Sequence, residues 1–311
     1  MNFTLITTSY NDADYIKQYV NQIDCQSLKP IELIIVDGGS KDNTLEVIKG
    51  LSTIINSFKI RLISDLGRLN IAQAINIGIK HCGTKFMVIG VIGNIYDDFF
   101  FEELIKYQSN GQFDIVYGPI FGVDETPFAK TFNNAFINSN RGWDFGIPSN
   151  RGVLINNNVF EKCGFFQEDF IYAGEDTEYY RRIQEYGIKI GYCHEAKLYW
   201  KTPTNWREYI KKMKANALAD LQFEPGYSII KNIASRAIIL LCIVLATIKY
   251  YPEGIAIPLI LFLLFLLLSA FKISTYHIPA MLLRAHFFFL PAYFYILNIE
   301  IYSKKRIHKN D

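Results

Sequence analysis

The 311-residue sequence contains no CxxC pair. Its five cysteines, Cys25, Cys82, Cys163, Cys193 and Cys242, are scattered, which argues against a thiolate zinc site or a disulfide framework and for free thiols in a reducing compartment. Charge of one sign is not in excess either. With 32 Lys and Arg against 30 Asp and Glu, the formal net charge is +2, too small a surplus for a nucleic-acid binder that must neutralise phosphates. The glycine pattern Gly90-Val-Ile-Gly93 lacks the GxGxxG spacing of a dinucleotide-binding loop. No basic n-region or apolar h-region precedes the strand-like Phe3-Thr-Leu-Ile, so no signal peptide is expected and the N-terminal part should stay in the cytoplasm. Internal repeats and low-complexity linkers are also missing.

What is present is most informative at Ile31-Glu-Leu-Ile-Ile-Val-Asp37-Gly-Gly-Ser-Lys-Asp-Asn-Thr44. An apolar strand ends there in a carboxylate and two glycines, and Ser40 or Asp42 is expected to cap a helix through Leu45, Val47 and Ile48. In open α/β sheets ligands lie beyond the carboxyl ends of strands, which puts Asp37 in reach of a nucleotide base or ribose. Similar alternation surrounds this segment. Strands are predicted near Thr4 to Thr8, Ile31 to Val36, Arg61 to Ser64 and Phe86 to Ile92. Helices are predicted from Ala13, with Ile16, Val20 and Ile23 on one face, and from Ile71 to Cys82. The order βαβα predicts an α/β fold with a mainly parallel sheet flanked by helices. Asn133 to Ser149, rich in Asn, Gly and Ser, is expected to be an irregular loop.

Composition changes near Ile229, which divides the chain into an α/β domain, 1–228, and a membrane-associated helical region, 229–311. Ala237 to Ile248 and Ile255 to Phe271 are uncharged runs; about 20 apolar residues span a bilayer, so the first must recruit its flanks. A third stretch, Ile278 to Ile299, contains Pro279, Arg284, His286 and Pro291 and is expected to lie in the interface. The basic tail Lys304-Lys-Arg-Ile-His-Lys309 favours the cytoplasmic side. Two crossings at the cell membrane, with both ends inside, satisfy these signals.

Far downstream lies Cys163-Gly-Phe-Phe-Gln-Glu-Asp-Phe-Ile-Tyr-Ala-Gly-Glu175-Asp176-Thr-Glu-Tyr-Tyr-Arg-Arg182, whose acidic pair opens a predicted helix. Together with Ile6-Thr-Thr-Ser-Tyr10-Asn11 and the Asp37 segment, it resembles the inverting family-2 glycosyltransferases of the GT-A fold. The resemblance covers roughly residues 3 to 220. It implies that Tyr10 stacks on a base that the backbone around Ser9 contacts, that Asp37 and Asp65 approach the nucleotide, and that Arg68 approaches the diphosphate. Asp176, with Glu175 beside it, would be the catalytic base that takes the acceptor proton. Asn76 and Gly78 are expected to serve helix packing.

One segment departs from the family pattern. An Asp-x-Asp usually ends the fourth strand and holds a divalent cation, Mg²⁺ or Mn²⁺, but this chain reads Gly93-Asn94, with Asp97 and Asp98 a few residues late. Trp200 replaces a later metal-associated histidine. Hard cations need oxygen donors, so the metal site is in doubt. Three outcomes follow: Asp97 or Asp98 reaches the metal by a shifted loop, Arg68 and Lys201 neutralise the diphosphate instead, or catalysis is lost. Asn94, Trp200 and Lys201 are the candidate donor and acceptor contacts. The expected partners are a nucleotide sugar, UDP-linked by the resemblance, a glycan or lipid-linked acceptor, and the membrane. A polyprenyl-phosphate sugar synthase competes within the fold, but its acceptor is already ionised and needs no base. A catalytically silent GT-A module that binds nucleotide sugar or recruits a partner is the alternative of another class.

Overall fold

A computed structural model describes residues 1–137, 147–170, 174–212, 245 and 248–250. It separates into two compact units, Met1–Glu125 with Ile137–Thr202, and Thr126–Phe136 with Pro203–Asp311. The first unit runs β1 (Phe3–Ser9), α1 (Ala13–Asp24), β2 (Glu32–Asp37), α2 (Thr44–Ile54), β3 (Lys59–Ile63), α3 (Ile71–Lys80), β4 (Phe86–Val91), β5 (Asn94–Tyr96), α4 (Phe100–Gly111), β6 (Ile115–Tyr117) and β7 (Ile120–Val123). After α5 (Pro127–Phe136), which belongs to the second unit, it continues with β8 (Gly152–Asn156), α6 (Asn158–Cys163), α7 (Glu175–Arg182), β9 (Ile190–Tyr192) and β10 (Leu198–Lys201).

Seven strands form one sheet in the order β3-β2-β1-β4-β8-β6-β9, and three form a second, β5-β10-β7. β3, β2, β1 and β4 are mutually parallel, while β8 runs antiparallel to both β4 and β6. The mainly parallel α/β architecture expected from the alternation is therefore present. β2 is buried along its whole length because helices cover both faces. Side chains alternate across a strand, so Leu33 and Ile35 join one core with Ile16, Tyr19 and Val20 of α1 and Phe100 of α4. Ile34 and Val36 join the other core with Ala72, Ile75 and Ile79 of α3. Each such side chain contributes roughly 1.5 to 3 kcal/mol by leaving water.

α3 sits unusually close to the sheet. A Cβ on Gly78 would come 2.4 Å from Cγ2 of Ile6. Asn76, buried in the same helix, donates from Nδ2 to Phe166 O at 2.9 Å and accepts from Phe166 N at 3.1 Å. Both residues thus pack the helix, as the sequence predicts.

Two local expectations change. The N-cap of α2 is Asn43, with no side-chain cap bond, rather than Ser40 or Asp42. Ser40 gives its hydroxyl to Asp37, and Asp42 Oδ1 instead accepts from Thr44 N at 3.1 Å inside the helix. The predicted loop from Asn133 begins within α5, because Phe128, Phe132 and Tyr209 of the second unit bury one helical face in aromatic contacts at 6.0 to 6.3 Å. Residues 138–146 of that loop, the boundary at 228 and 229, and the apolar runs beyond it lie outside the described residues, apart from 245 and 248. Among the described residues no helix is long and apolar enough to cross a membrane.

Candidate functional site

Ser9 and Asp37 are register partners at the carboxyl ends of β1 and β2. The chain then turns sharply: Gly38 N donates to Ser9 O at 2.7 Å. Asp37, 2% exposed, accepts through Oδ2 from Gly39 N and Ser40 N, each at 2.9 Å, and through Oδ1 from the Ser40 hydroxyl. Its first task is to hold its own turn. Three donors leave part of the acceptor capacity of a carboxylate for a ligand. Gly39 has φ +87°, and a Cβ there would meet Gly67 O at 2.8 Å, so a side chain is excluded on both grounds.

The loop after β1 is bonded to the loop after β2. Asn11 N donates to Ser40 Oγ at 2.9 Å, Lys41 N to Asn11 Oδ1 at 2.8 Å, and Asp12 N to Thr44 Oγ1 at 2.9 Å. Asn11 itself has φ +56°, which its short amide tolerates. Asp12 accepts from Tyr10 N at 2.9 Å, and burial raises its pKa above the usual range despite that bond. Hydrogen bonds from Thr44 hold Asp42 below its ordinary value. Asp12 and Thr44 were not singled out from the sequence; their place immediately before helical patterns was the available signal.

The segment after β3 closes over this turn. Arg68 lays its guanidinium carbon 3.5 Å from the Tyr10 ring centroid and donates from Nη1 to Gly38 O at 3.2 Å. The face of Tyr10 expected to stack on a base thus carries Arg68 in this structure. Asp65 is exposed, has φ +65° and accepts from Ser64 Oγ at 2.9 Å.

A second group assembles at the carboxyl end of β4. Gly152 pairs with Gly90, which brings Ser149, Asn150 and Arg151 to that end. Asp176 Oδ2 accepts from Ser149 Oγ at 3.3 Å, and Asp176 Oδ1 accepts from Thr177 N at 2.7 Å. Asn150 Oδ1 accepts from Tyr180 OH at 2.9 Å, a buried link between the segment leading into β8 and α7. Glu175 and Asp176 open α7 as expected, following Gly174 at φ +99°. Burial pushes the Glu175 carboxyl up to about 7, with the neighbouring Asp176 charge adding to the rise and Arg151 opposing it. Ser149, Asn150 and Arg151 were also not singled out, although a polar run directly before the buried strand Gly152–Asn156 was visible in the sequence.

Asn94 and Trp200 face each other in the antiparallel pairing of β5 and β10. Asn94 Nδ2 donates to Arg151 O at 2.9 Å, and Arg151 stacks its guanidinium carbon 4.3 Å from the Trp200 centroid. Lys201 Nζ lies 3.6 Å from Glu125 Oε1 and 5.6 Å from the Tyr15 centroid.

Asp97 and Asp98 are elsewhere. Gln26 Nε2 donates to Asp97 O at 2.9 Å and Ser27 N to Asp98 O at 3.0 Å. Ser27 follows the C-terminal end of α1, at the amino edge of the sheet, whereas Ser9 and Asp37 are at the carboxyl edge. The shifted-loop expectation fails because β5 turns back after Gly93 and carries both aspartates away. A divalent cation does not fit the donors at the positions where the family's ligands are expected: Gly93 offers no side chain, Asn94 only a neutral amide, and Trp200 no acceptor. Among the described residues no group of three His, Cys, Asp or Glu could hold one.

Known proteins can be set beside this geometry. The mannosyltransferase PcManGT of Pyrobaculum calidifontis, in complex with GDP-Man and Mn²⁺, aligns with a TM-score of 0.68 at 15% identity, over 94% of this chain and 86% of that one. S. aureus TarS 1–349 in complex with UDP gives 0.51 at 16% identity, over 71% and 66%. At such identities the likeness is one of fold, the GT-A type. In sequence the chain is 25% identical over 308 residues to the dolichyl N-acetyl-α-D-glucosaminyl phosphate 3-β-D-2,3-diacetamido-2,3-dideoxy-β-D-glucuronosyltransferase of Methanococcus voltae, over 86% of this chain and 95% of that one. It spans 40% and 65% of the length of two other curated glycosyltransferases it matches. The family model described as "Glycosyl transferase family 2" matches residues 4–172, more than half the chain, and the chain belongs to that family.

Proposed function

We propose that this chain transfers a sugar, with inversion, from a nucleotide sugar to a hydroxyl of a lipid-linked or envelope glycan. The observation that supports this reading is that the Ser9 and Asp37 turn and the acidic pair that opens α7 both lie at the carboxyl edge of one sheet. Asp176 is the base. It takes the acceptor proton as that oxygen bonds to the anomeric carbon, while the bond to the diphosphate breaks and its electron pair leaves with the nucleoside diphosphate. Glu175, buried and holding its proton to about 7, keeps a second negative charge away from Asp176 below that pH.

Ser9, Tyr10, Asp37, Asp65 and Arg68 form the nucleotide side, with Arg68 leaving the Tyr10 face when a base arrives. Asn94, Trp200 and Lys201 line the sugar side. UDP is the first nucleotide to try, and the UDP and GDP-Man complexes of structural neighbours support a nucleotide-sugar donor of either base. Residues 229–311 hold the α/β domain at the cytoplasmic face of the cell membrane, a reading supported by the uncharged runs 237–248 and 255–271 and the basic tail. The names of an O-antigen chain rhamnosyltransferase and of the dolichyl-phosphate-directed relative support the acceptor class.

The test is a screen of the purified full chain against a panel of UDP- and GDP-sugars, with the anomeric configuration of the product read by NMR. Turnover with inversion is expected. Retention of configuration would overturn the single displacement, and binding without turnover would turn the assignment to the silent module, the reading favoured by Gly93, Asn94 and Trp200 at the expected ligand positions.

A further inference from the structure

On the nucleotide-sugar reading, the departing diphosphate gathers negative charge at the end of β4, and stabilising such charge is often the largest catalytic contribution. The donors there do not fit a divalent cation, yet the position is not without positive charge. Arg151 is bolted in place through its main chain: its carbonyl accepts from Asn94 Nδ2 at 2.9 Å and from Tyr96 OH at 3.0 Å. Those two donors come from β5, the strand that begins where an acidic pair would stand. Its side chain is fixed separately, by stacking on Trp200 with the guanidinium carbon 4.3 Å from the ring centroid. Trp200 is the register partner of Asn94, so the two changed positions are adjacent in space and both touch Arg151.

The other two cations nearby are placed differently. Arg68 lies on Tyr10 and Gly38 O, on the nucleotide side, and Lys201 is 3.6 Å from Glu125. Arg151 is itself engaged within the fold, and its charge acts on the buried Glu175. A guanidinium can stack through its flat face and engage two oxygens at once through its in-plane N–H edge. An aromatic face also lowers the side-chain entropy lost when a ligand binds.

Resting on the nucleotide-sugar reading above, we propose that Arg151, stacked on Trp200 and anchored by Asn94, takes the place of the divalent cation and binds the diphosphate of the donor. Asn94 and Trp200 are then positioning residues for a guanidinium, substituted together because each serves Arg151. The guanidinium transfers no proton. It donates hydrogen bonds to the diphosphate oxygens as the electron pair of the broken bond moves onto them.

The experiment is calorimetric titration of the full chain with UDP, GDP, UMP and GMP, in EDTA and in Mn²⁺, for the wild type, Arg151→Gln and Trp200→Ala. The preferred base's diphosphate should bind equally well, within about twofold, in EDTA and in Mn²⁺. Loss of charged hydrogen bonds in Arg151→Gln should lower the ratio of diphosphate to monophosphate affinity about 10-fold or more. Monophosphate affinity should hold within about twofold, which also reports that the variant is folded. Trp200→Ala should lower the ratio less. A wild-type diphosphate affinity that collapses in EDTA, returns with Mn²⁺ and ignores Arg151→Gln would overturn the inference while leaving the nucleotide site standing. Failure of the wild type to bind any of the four nucleotides would overturn both.

Discussion

The two halves of the candidate site are built in opposite ways. On the nucleotide side, Asp37, Gly38, Gly39 and Ser40 are consecutive, and the carboxylate bonds to its own next residues. On the transfer side, Asn94, Arg151, Asp176 and Trp200 come from four distant segments and meet only through β8, α7 and the pairing of β5 with β10. A site that closes locally can be recognised as a word in the sequence. One that closes through strand pairing cannot, and it can exchange one chemistry for another while its frame persists.

Substitutions that separate turnover from binding should sharpen this contrast most. Asp176→Asn keeps the hydrogen-bonding shape of α7 but removes the proposed base, and turnover should fall by about 100-fold or more while nucleoside diphosphate affinity holds. Steady-state kinetics beside calorimetry check it; an equal loss of affinity would make Asp176 part of the frame. Asp37→Ala should do the reverse. It should weaken UDP or GDP binding by about 1.5 to 3 kcal/mol, because a buried charged acceptor and the turn it holds are lost together. An unchanged affinity would remove Asp37 from the nucleotide side.

A smaller effect concerns stability. Glu175 has a folded pKa raised from 4.5 to about 7, so between those values the unfolded chain has lost a proton that the native state keeps. Stability should therefore fall as pH rises through that window and level off above it. Glu175→Gln should flatten this slope and raise the melting temperature at pH 8 relative to the parent, as thermal unfolding across pH 4 to 9 would reveal. An undiminished slope would place the titrating group elsewhere. The smallest change is expected from Asp98→Ala, at the opposite edge of the sheet: turnover and nucleotide affinity within about twofold of the parent, with or without Mn²⁺. A larger loss, rescued by Mn²⁺, would contradict the separation of the two edges.

Much of this was legible from the residues in order. The strand and helix boundaries of β1 through β4 lie within a few residues of those predicted, because each apolar run has a single period and ends at a glycine, proline or polar cluster. The acidic pair at the start of α7 was legible for the same reason. The cap of α2 was not, since Ser40, Asp42 and Asn43 are all good caps and only the carboxylate of Asp37 decides which hydroxyl is taken. α5 was obscured because its helical face is made of aromatics whose partners, Trp206 and Tyr209, lie about 80 residues on.

By itself, then, the sequence determined the alternating parallel layers, the turn after β2 and the helix that starts with Glu175, all of them set by periodicity and by residues that bond to near neighbours. Only the tertiary structure decided that the main chains of Asp97 and Asp98 bond to Gln26 and Ser27 beyond α1, that Arg68 covers Tyr10, and that Arg151 rests on Trp200 beside Asn94. The reason is physical. A strand reversal takes the residues after it away from the strand end they follow in sequence, and a stacked cation depends on two positions far apart in the chain that only strand pairing brings together.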